Sequence, residues 1–283
     1  MSGFFGCVSL GDCVNDVFYG TDYHSHLGTK RAGLAFYSKE AGFQRAIHSI
    51  ENGYFRNKFE DELADFKGHI GLGVISDTEA QPVVMTSHLG RFAVASVSKI
   101  VNIKELEKRC IEKQYVFSEM SMGNINPTEL VAKLIAEEND FVSGIRNVQE
   151  LIQGSCSLMV MTSDCIYIGR DKLGRTPIVI GKKGGAFAAS FETCAFPNLG
   201  YETFHYPGPG EIGKITADGY TKLKEPNDKM QVCAFLWVYY GFPTSSYEGI
   251  NVDECRHRCG EALAKNDDVT ADFVAGIPDS GVG

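Results

Sequence analysis

Apolar and polar residues alternate in short runs along the first third of the chain, and glycine, serine and aspartate separate the runs. This pattern is typical of antiparallel strands that bury one face. It predicts a strand at the start of the chain and further strands at residues 33–38, 43–49, 69–76 and 82–102.

A different spacing predicts the helices. The clearest spans residues 124–138, where Leu130 and Leu134 fall on one face, Asn126 can cap the helix and Glu129 can close a capping box. The same rules predict helices over residues 143–154 and 252–266. A shorter helix over residues 12–20 is predicted to be capped by Asp12 and stopped by Gly20.

Strands return at residues 157–162, 165–171 and 176–191, and "KKGG" within the last range predicts a hairpin. Helices grouped between two runs of strands favour sheets that pack on each other and are flanked by helices. A polar linker follows at residues 225–231. Residues 271–283 are then predicted to form a strand leading into a Pro/Gly turn, the first half of a βα unit of a second domain.

Composition restricts the class of protein. The chain is 43% hydrophobic and 22% charged with a formal net charge of −9, which indicates a folded, soluble protein and disfavours a nucleic-acid partner. No apolar run approaches the about 20 residues of a membrane-spanning helix, and no secretory signal is visible. The nine scattered cysteines are interpreted as reduced thiols. Together these features predict a cytoplasmic protein without a membrane partner.

Ser2 is the first candidate for chemistry. Once the initiator methionine is removed, its hydroxyl lies beside a free α-amine, and such an amine can act as the base for a nucleophilic hydroxyl. The alternative interpretation is an ordinary buried serine at the start of a strand.

Several motifs in a fixed order carry a family resemblance. The segments are "QGSCSLMVM", "GRDKLGRTPIVIG", "AASFETCAF" and "YPGPGEI", followed by "VYYGFPTSSYEGINVDECRHRCGEALA" and "ADFVAGIPDSG". The first four resemble the class II glutamine amidotransferase domain of the N-terminal-nucleophile hydrolase fold. With the last two, the chain resembles the amidophosphoribosyltransferases from Ser2 to Gly283.

The resemblance implies an α+β architecture in two parts. Residues 2–230 would form a four-layer αββα glutaminase-like domain, and residues 231–283 would begin an α/β type I phosphoribosyltransferase domain. The family transfers ammonia from glutamine to phosphoribosyl pyrophosphate, which gives phosphoribosylamine for purine biosynthesis. The implied partners are therefore these small molecules and Mg²⁺ with the diphosphate, and a homo-oligomer is expected.

The resemblance also implies that the glutaminase pocket has degenerated. The family nucleophile is a cysteine, and serine stands there. The other changed positions are Val74 for the arginine that binds the glutamine carboxylate, Val97 and Ser98 for an Asn-Gly oxyanion segment, Pro127 for an aspartate, and His26–Gly28 for a His-Arg-Gly. Valine has no donors for a carboxylate, so we expect inefficient glutamine hydrolysis.

Further residues are assigned by the same resemblance. Pro278, Asp279, Ser280 and Gly281 match the loop that binds the diphosphate, and Cys233 matches one ligand of the 4Fe–4S cluster of some members. The phosphoribose loop of these transferases is missing, so the chain is expected to be the N-terminal part of a longer enzyme.

Two alternatives remain open. The domain can be a non-catalytic scaffold or regulatory module. It can also be a serine-dependent N-terminal-nucleophile amidohydrolase with a new substrate. The second alternative needs cations that replace the lost donors, and Lys30, Arg31 and Arg91 are the candidates.

Overall fold

The computed structural model describes residues 2–121, 123–278 and 281–282. The strands, in chain order, are β1 (Ser2–Ser9), β2 (Arg31–Ser38), β3 (Gly42–Ser49), β4 (Ile70–Ser76), β5 (Val83–Ser87), β6 (Gly90–Ile100), β7 (Met120–Ser121), β8 (Asn124–Ile125), β9 (Gly154–Met161), β10 (Ile166–Gly169), β11 (Val179–Lys183), β12 (Ala186–Ser190), β13 (Glu202–His205), β14 (Ile212–Thr216), β15 (Gly219–Lys224), β16 (Ser246–Tyr247) and β17 (Ile250–Asn251). The α-helices are α1 (Val14–Asp22), α2 (Phe55–Phe59), α3 (Ile103–Glu112), α4 (Pro127–Ile135), α5 (Phe141–Leu151), α6 (Ala195–Leu199) and α7 (Val252–Lys265).

Two antiparallel sheets form the centre of the molecule. A seven-stranded sheet has the order β13-β11-β12-β1-β4-β2-β3, and a six-stranded sheet has the order β15-β14-β10-β9-β6-β5. Strand β1 is therefore the middle strand of the larger sheet, bonded to β12 on one side and to β4 on the other.

Three apolar clusters define four layers. One cluster lies between the sheets, a second joins the larger sheet to α1, α2 and α6, and a third joins the smaller sheet to α3, α4 and α5. Strand β1 alternates strictly between two of them: Phe4 and Val8 face the other sheet, and Phe5 and Cys7 face the helices. The predicted αββα architecture is confirmed.

Two local predictions about helix ends are wrong. Helix α1 continues past Gly20 to Asp22. Gly20 serves packing and does not end the helix: a Cβ there would overlap the ring of Phe5, so only glycine lets the helix pack this closely. Glu129 closes no capping box. Its carboxylate instead accepts hydrogen bonds from the backbone N–H groups of Ser118 and Glu119, while Asn126 caps α4 as predicted.

The end of the chain also differs from its prediction. Helix α7 forms as expected, but the described residues after it contain no strand, and Phe273 there is 94% exposed. A strand needs a neighbour that accepts and donates its ladder hydrogen bonds, and none of the described strands lies beside this segment. No helix within the described ranges is both long and apolar enough to cross a membrane.

Residues beyond the predicted boundary at 230/231 pack against the sheets. Leu236, Trp237, Tyr247 and Val252 belong to the cluster between the sheets. Arg256 of α7 holds the turn that contains Trp237, donating to the carbonyl oxygens of Trp237 and Gly241, both at 2.9 Å. The division into residues 2–230 and 231–283 stays a prediction.

We predict a strong contrast between two glycines in strands. A Cβ on Gly33 of β2 would overlap the carbonyl oxygen of Gln81, whereas a Cβ on Gly219 of β15 meets nothing within 4 Å. Gly33→Ala should lower the free energy of unfolding by about 1–3 kcal/mol. Gly219→Ala should stay within about 0.5 kcal/mol of the unchanged protein. Urea denaturation measures both, and equal effects would contradict the close approach.

Candidate functional site

The site lies at one end of the space between the two sheets. Ser2 begins β1 and pairs with Ser76, the last residue of β4, and Phe4 pairs with Val74. Directly opposite residues in antiparallel strands point to the same face. Phe4 and Val74 face the second sheet, so Ser2 and Ser76, two residues along, face it too.

Ser2 is nearly enclosed, with 9% of its surface exposed. Its hydroxyl donates a hydrogen bond to the hydroxyl of Ser76 at 3.2 Å. The structure therefore places Ser2 at the start of β1 and joins it to a second serine, which the sequence motifs did not indicate.

Ser76 connects Ser2 to a buried carboxyl group. The Ser76 hydroxyl lies 3.5 Å from Oε2 of Glu79 and 3.4 Å from the Thr78 hydroxyl, which itself donates to Glu79. Glu79 is only 3% exposed. Both routes from Ser76 end on the same carboxylate oxygen.

Gln81 fixes the other side of this carboxyl group. Its Nε2 donates to Oε1 of Glu79 at 3.2 Å and to the Ser96 carbonyl at 3.0 Å, and its Oε1 accepts from the Ser96 N–H at 2.8 Å. Thr128 of α4 completes the cluster, since its hydroxyl lies 2.8 Å from that of Ser96 and 3.2 Å from Oε1 of Gln81.

Burial controls the protonation of Glu79. Removal from water raises the pKa of this carboxyl group, and hydrogen bonds from Thr78, Thr128 and Ser76 only partly offset that effect. Within the described ranges no lysine, arginine or histidine forms an ion pair with it.

Three of the positions that match the family's glutamine-binding groups are apolar. Val74 is fully buried in the cluster between the sheets, and Val97 of the same cluster is 9% exposed. Pro127 is the first residue of α4 and has no N–H to donate. None of these three side chains can bind a carboxylate, an amine or an oxyanion.

His26 lies in the turn Ser25–Leu27. The structure adds a buried partner, because its Nε2 lies 3.3 Å from Oε1 of Glu192. Glu192 also accepts hydrogen bonds from the hydroxyls of Ser245 and Tyr247. Burial acts to raise the pKa of Glu192, but His26 and the other donors outweigh it and hold the pKa below its usual value.

The second histidine of this region, His24, is a structural group. It is fully buried, and that burial lowers its pKa to about 4. Its Nδ1 lies 2.7 Å from the Gly20 carbonyl and its Nε2 lies 3.2 Å from the Ser190 hydroxyl. A neutral ring with both nitrogens bonded holds the start of the turn against the larger sheet.

The three candidate replacement cations separate in space. Arg31 begins β2 and lies directly opposite Ser76 of β4. Because Ser2 of β1 lies opposite the same residue, Arg31, Ser76 and Ser2 form one row across three neighbouring strands. Arg91 lies at the start of β6, where its Nε donates to Thr86 at 3.3 Å, and Lys30 precedes β2. Of these three cations, only Arg31 is placed by the strand register in the same row as Ser2.

The remaining predicted site residues lie at the other end of the chain. Pro278 and Gly281 are exposed, and Asp279 and Ser280 lie outside the described residues. Cys233 is partly buried against the cluster between the sheets. Throughout residues 2–121, 123–278 and 281–282, no three His, Cys, Asp or Glu side chains come together as metal ligands would.

Comparisons with known proteins agree with the motifs. Residues 69–197 match the family described as "Glutamine amidotransferase domain". The amidophosphoribosyltransferase of Methanocaldococcus jannaschii is 30% identical over 310 aligned residues, covering 100% of this chain and 64% of that protein. The amidophosphoribosyltransferase of Archaeoglobus fulgidus is 29% identical over 266 aligned residues, covering 91% of this chain and 57% of that protein.

A solved structure gives the same result. Glutamine phosphoribosylpyrophosphate amidotransferase from Bacillus subtilis, complexed with ADP and GMP, superposes with a TM-score of 0.89 at 25% identity, covering 99% of this chain and 62% of that one. The chain thus spans about three fifths of the length of the relatives it matches. The predicted resemblance is confirmed: this chain is similar to amidophosphoribosyltransferases over most of its length, and residues 69–197 match a glutamine amidotransferase domain.

We predict a pH-dependent effect of Glu79→Gln on stability. Because the folded chain keeps the Glu79 proton to a higher pH than the unfolded chain does, Glu79 destabilises the fold progressively as the pH rises above its usual pKa of 4.5. Glutamine resembles the neutral acid and avoids this loss. The difference in free energy of unfolding should therefore shift in favour of Glu79→Gln between pH 4.5 and pH 8, as measured by urea denaturation.

A matched control should show the opposite trend. Burial acts to raise the pKa of Glu137, but hydrogen bonds from Arg109 and Lys113 hold it below its usual value. Glu137→Gln should therefore lose stability relative to the unchanged protein as the pH rises through the acid range. The same trend for both variants would contradict the assignment of Glu79.

Proposed function

We propose that this chain is the glutamine amidotransferase-like part of an amidophosphoribosyltransferase-type protein of purine biosynthesis. The protein would transfer ammonia to phosphoribosyl pyrophosphate and form phosphoribosylamine. The names and folds of the relatives support this class, and one similar structure is that of the allosteric regulatory enzyme of purine biosynthesis.

We further propose that the glutaminase pocket no longer hydrolyses glutamine efficiently. The observation that carries this proposal is the complete burial of Val74 in an apolar cluster, at the position that matches the carboxylate-binding arginine. A substrate carboxylate needs charge-assisted donors, and an apolar wall leaves it unpaired. The ammonia would then come from solution or from a partner protein.

The transferase half of the proposal depends on the end of the chain. The Pro278–Gly281 loop would bind the diphosphate together with Mg²⁺, because small residues let backbone N–H groups approach phosphate oxygens. Residues 231–283 would begin that domain. A cytoplasmic location and a homo-oligomer belong to the same proposal.

Cys233 does not by itself make an iron–sulfur site. Such clusters are held by four protein ligands, and no second ligating side chain groups with Cys233 and a third among the residues described. No step of the proposed reaction therefore involves a cluster, and the 4Fe–4S assignment stays a prediction.

A scaffold role is the second candidate, and one contact favours it. Arg170, fully buried in the glutaminase-like part, lies 2.5 Å from Glu248 in the segment that follows the predicted boundary. Its guanidinium also donates to the carbonyls of Pro207 and Gly174. The buried Arg170 therefore holds the segment that contains Glu248 against the sheets, as expected of a domain whose role is packing.

We predict that glutamine turnover is at least about 10³-fold slower than in a relative that keeps the arginine and the Asn-Gly segment, since one oxyanion donor alone is worth about 10²–10³ in rate. The measurement is glutamate release by the chain with Met1 removed. Ser2→Ala should leave this residual rate unchanged. Rapid turnover that disappears in Ser2→Ala would overturn the proposed loss of glutaminase activity.

A further inference from the structure

A cavity of about 400 Å³ lies at the end of the smaller sheet where its hairpins turn. It is lined by residues from the turns between β5 and β6 and between β9 and β10, from the end of β14, and from the first residue of α5. Strand β6 runs from Arg91 at this cavity to Ser96 in the cluster around Glu79, a distance of about 17 Å. The cavity is therefore separate from the site that contains Ser2.

Aromatic rings form one wall of the cavity. The ring centroids of Phe141 and Tyr167 lie 5.2 Å apart with their planes 33° from each other. Behind them, Phe92 meets Phe141 edge-on at 5.3 Å and belongs to the buried cluster under α3, α4 and α5. Phe141 and Tyr167 themselves are only partly buried. They are thus held by the core and keep aromatic surface on which a flat apolar group can stack.

Two cations line the same cavity. Lys214 of β14 lies directly opposite Tyr167 of β10, so both side chains leave the sheet on one face. Arg91 donates from Nε to the Thr86 hydroxyl at 3.3 Å, which leaves the two terminal amino groups of its guanidinium as further donors. Across the part of the chain that the structure describes, neither cation forms an ion pair with a carboxylate.

The acidic groups near the cavity do not balance these cations. Asp164 is the acidic residue of the lining, and it accepts a hydrogen bond from the Ser163 hydroxyl at 3.1 Å. Asp140 acts on Tyr167 electrostatically, but its carboxylate is engaged in capping α5, where it accepts from the N–H and the hydroxyl of Ser143 at 2.9 and 2.8 Å. Burial raises the pKa of Tyr167 to about 12, so its hydroxyl stays neutral at pH 7.

The neutral groups of the lining are not acceptors for the cations either. The Thr162 hydroxyl donates to the Cys165 carbonyl at 3.2 Å, and the Thr216 hydroxyl donates to the Gly219 carbonyl at 3.4 Å. Lys214 is partly buried, and a partly buried ammonium group without an acceptor costs free energy. An anion from outside the chain would supply the missing acceptor.

We propose that this cavity binds small molecules that carry a phosphate or carboxylate group on an aromatic ring. Arg91 and Lys214 bind the anionic group, because a guanidinium matches two oxygens of either group and an ammonium adds a second positive charge. The ring of the ligand stacks on Phe141 and Tyr167. The lining residues match none of the glutamine-binding or diphosphate-binding motifs, so this site does not rest on the proposed function.

The first test compares probes on the full chain by ligand-observed NMR titration. Phenyl phosphate and benzoate should bind with dissociation constants in about the millimolar range, given how few atoms they have. Benzyl alcohol keeps the ring without the charge and should bind at least about tenfold more weakly. Inorganic phosphate keeps the charge without the ring and should displace phenyl phosphate only at about tenfold higher concentrations. The tighter of the two aromatic anions identifies the preferred anionic group.

Four variants locate the binding. Lys214→Gln and Arg91→Gln should each weaken phenyl phosphate and benzoate by about tenfold or more and leave benzyl alcohol unchanged. Phe141→Leu keeps apolar bulk but removes the ring, and it should weaken both aromatic anions by about two- to tenfold. Lys99→Gln makes the same loss of charge at the exposed far end of β6 and should leave every affinity unchanged. If Phe141→Leu does not fold, the two charge variants decide, since both residues are at least partly exposed.

The proposal fails if neither aromatic anion binds, or if benzyl alcohol binds as tightly as they do. It also fails if Lys214→Gln and Arg91→Gln leave the affinities unchanged. A loss of affinity in Lys99→Gln as large as that in Lys214→Gln would show only a general attraction of anions to the surface and would refute the assigned site. These titrations do not involve glutamine, so their failure and a failure of the proposed function are distinguishable.

Discussion

The burial of β1 on both faces is the constraint on which the rest of the structure depends. As the middle strand of the seven-stranded sheet, β1 packs Phe5 and Cys7 against helices and Phe4 and Val8 against the second sheet. A shift by one residue would exchange these two faces. The direction of the Ser2 side chain therefore follows from apolar packing further along the strand. The nucleophile position survives in the fold whether or not the surrounding residues still bind glutamine.

The same burial explains why this end of the space between the sheets is stable without a ligand. Polar groups withdrawn from water are costly unless they are hydrogen-bonded. At this site Glu79, Gln81, Ser96 and Thr128 bond to one another and need no ligand to satisfy them. Val74 and Val97 extend the apolar cluster of both sheets to the same place. Side chains that satisfy one another's hydrogen bonds in this way keep the two sheets together.

Much of this architecture could be predicted from local pattern. Period-two alternation located most strands of the two sheets, although β13, β14 and β15 were not predicted. Asn126 with Pro127 located the start of α4, because these signals lie within a few residues. Gly20 and Glu129 were misinterpreted because their partners, Phe5 and the Ser118–Glu119 backbone, lie outside any local window. The candidate site was the part that the sequence predicted least well. Glu79 belongs to no recognised motif, and the row Arg31–Ser76–Ser2 depends on the register between strands that are not consecutive in the chain.

That row also differs in depth from the position that matches the family's carboxylate-binding arginine. An arginine at the position of Val74 would lie on the same face of β4 as Ser76 but two residues deeper between the sheets. Arg31 is level with Ser2 and diagonal to Val74, a separation of about 7–8 Å. A substrate whose carboxylate was bound at the first position would have its reacting carbonyl displaced if the carboxylate moved to the second. A carboxylate bound by Arg31 would therefore lie nearer the mouth of the site than one bound at the position of Val74.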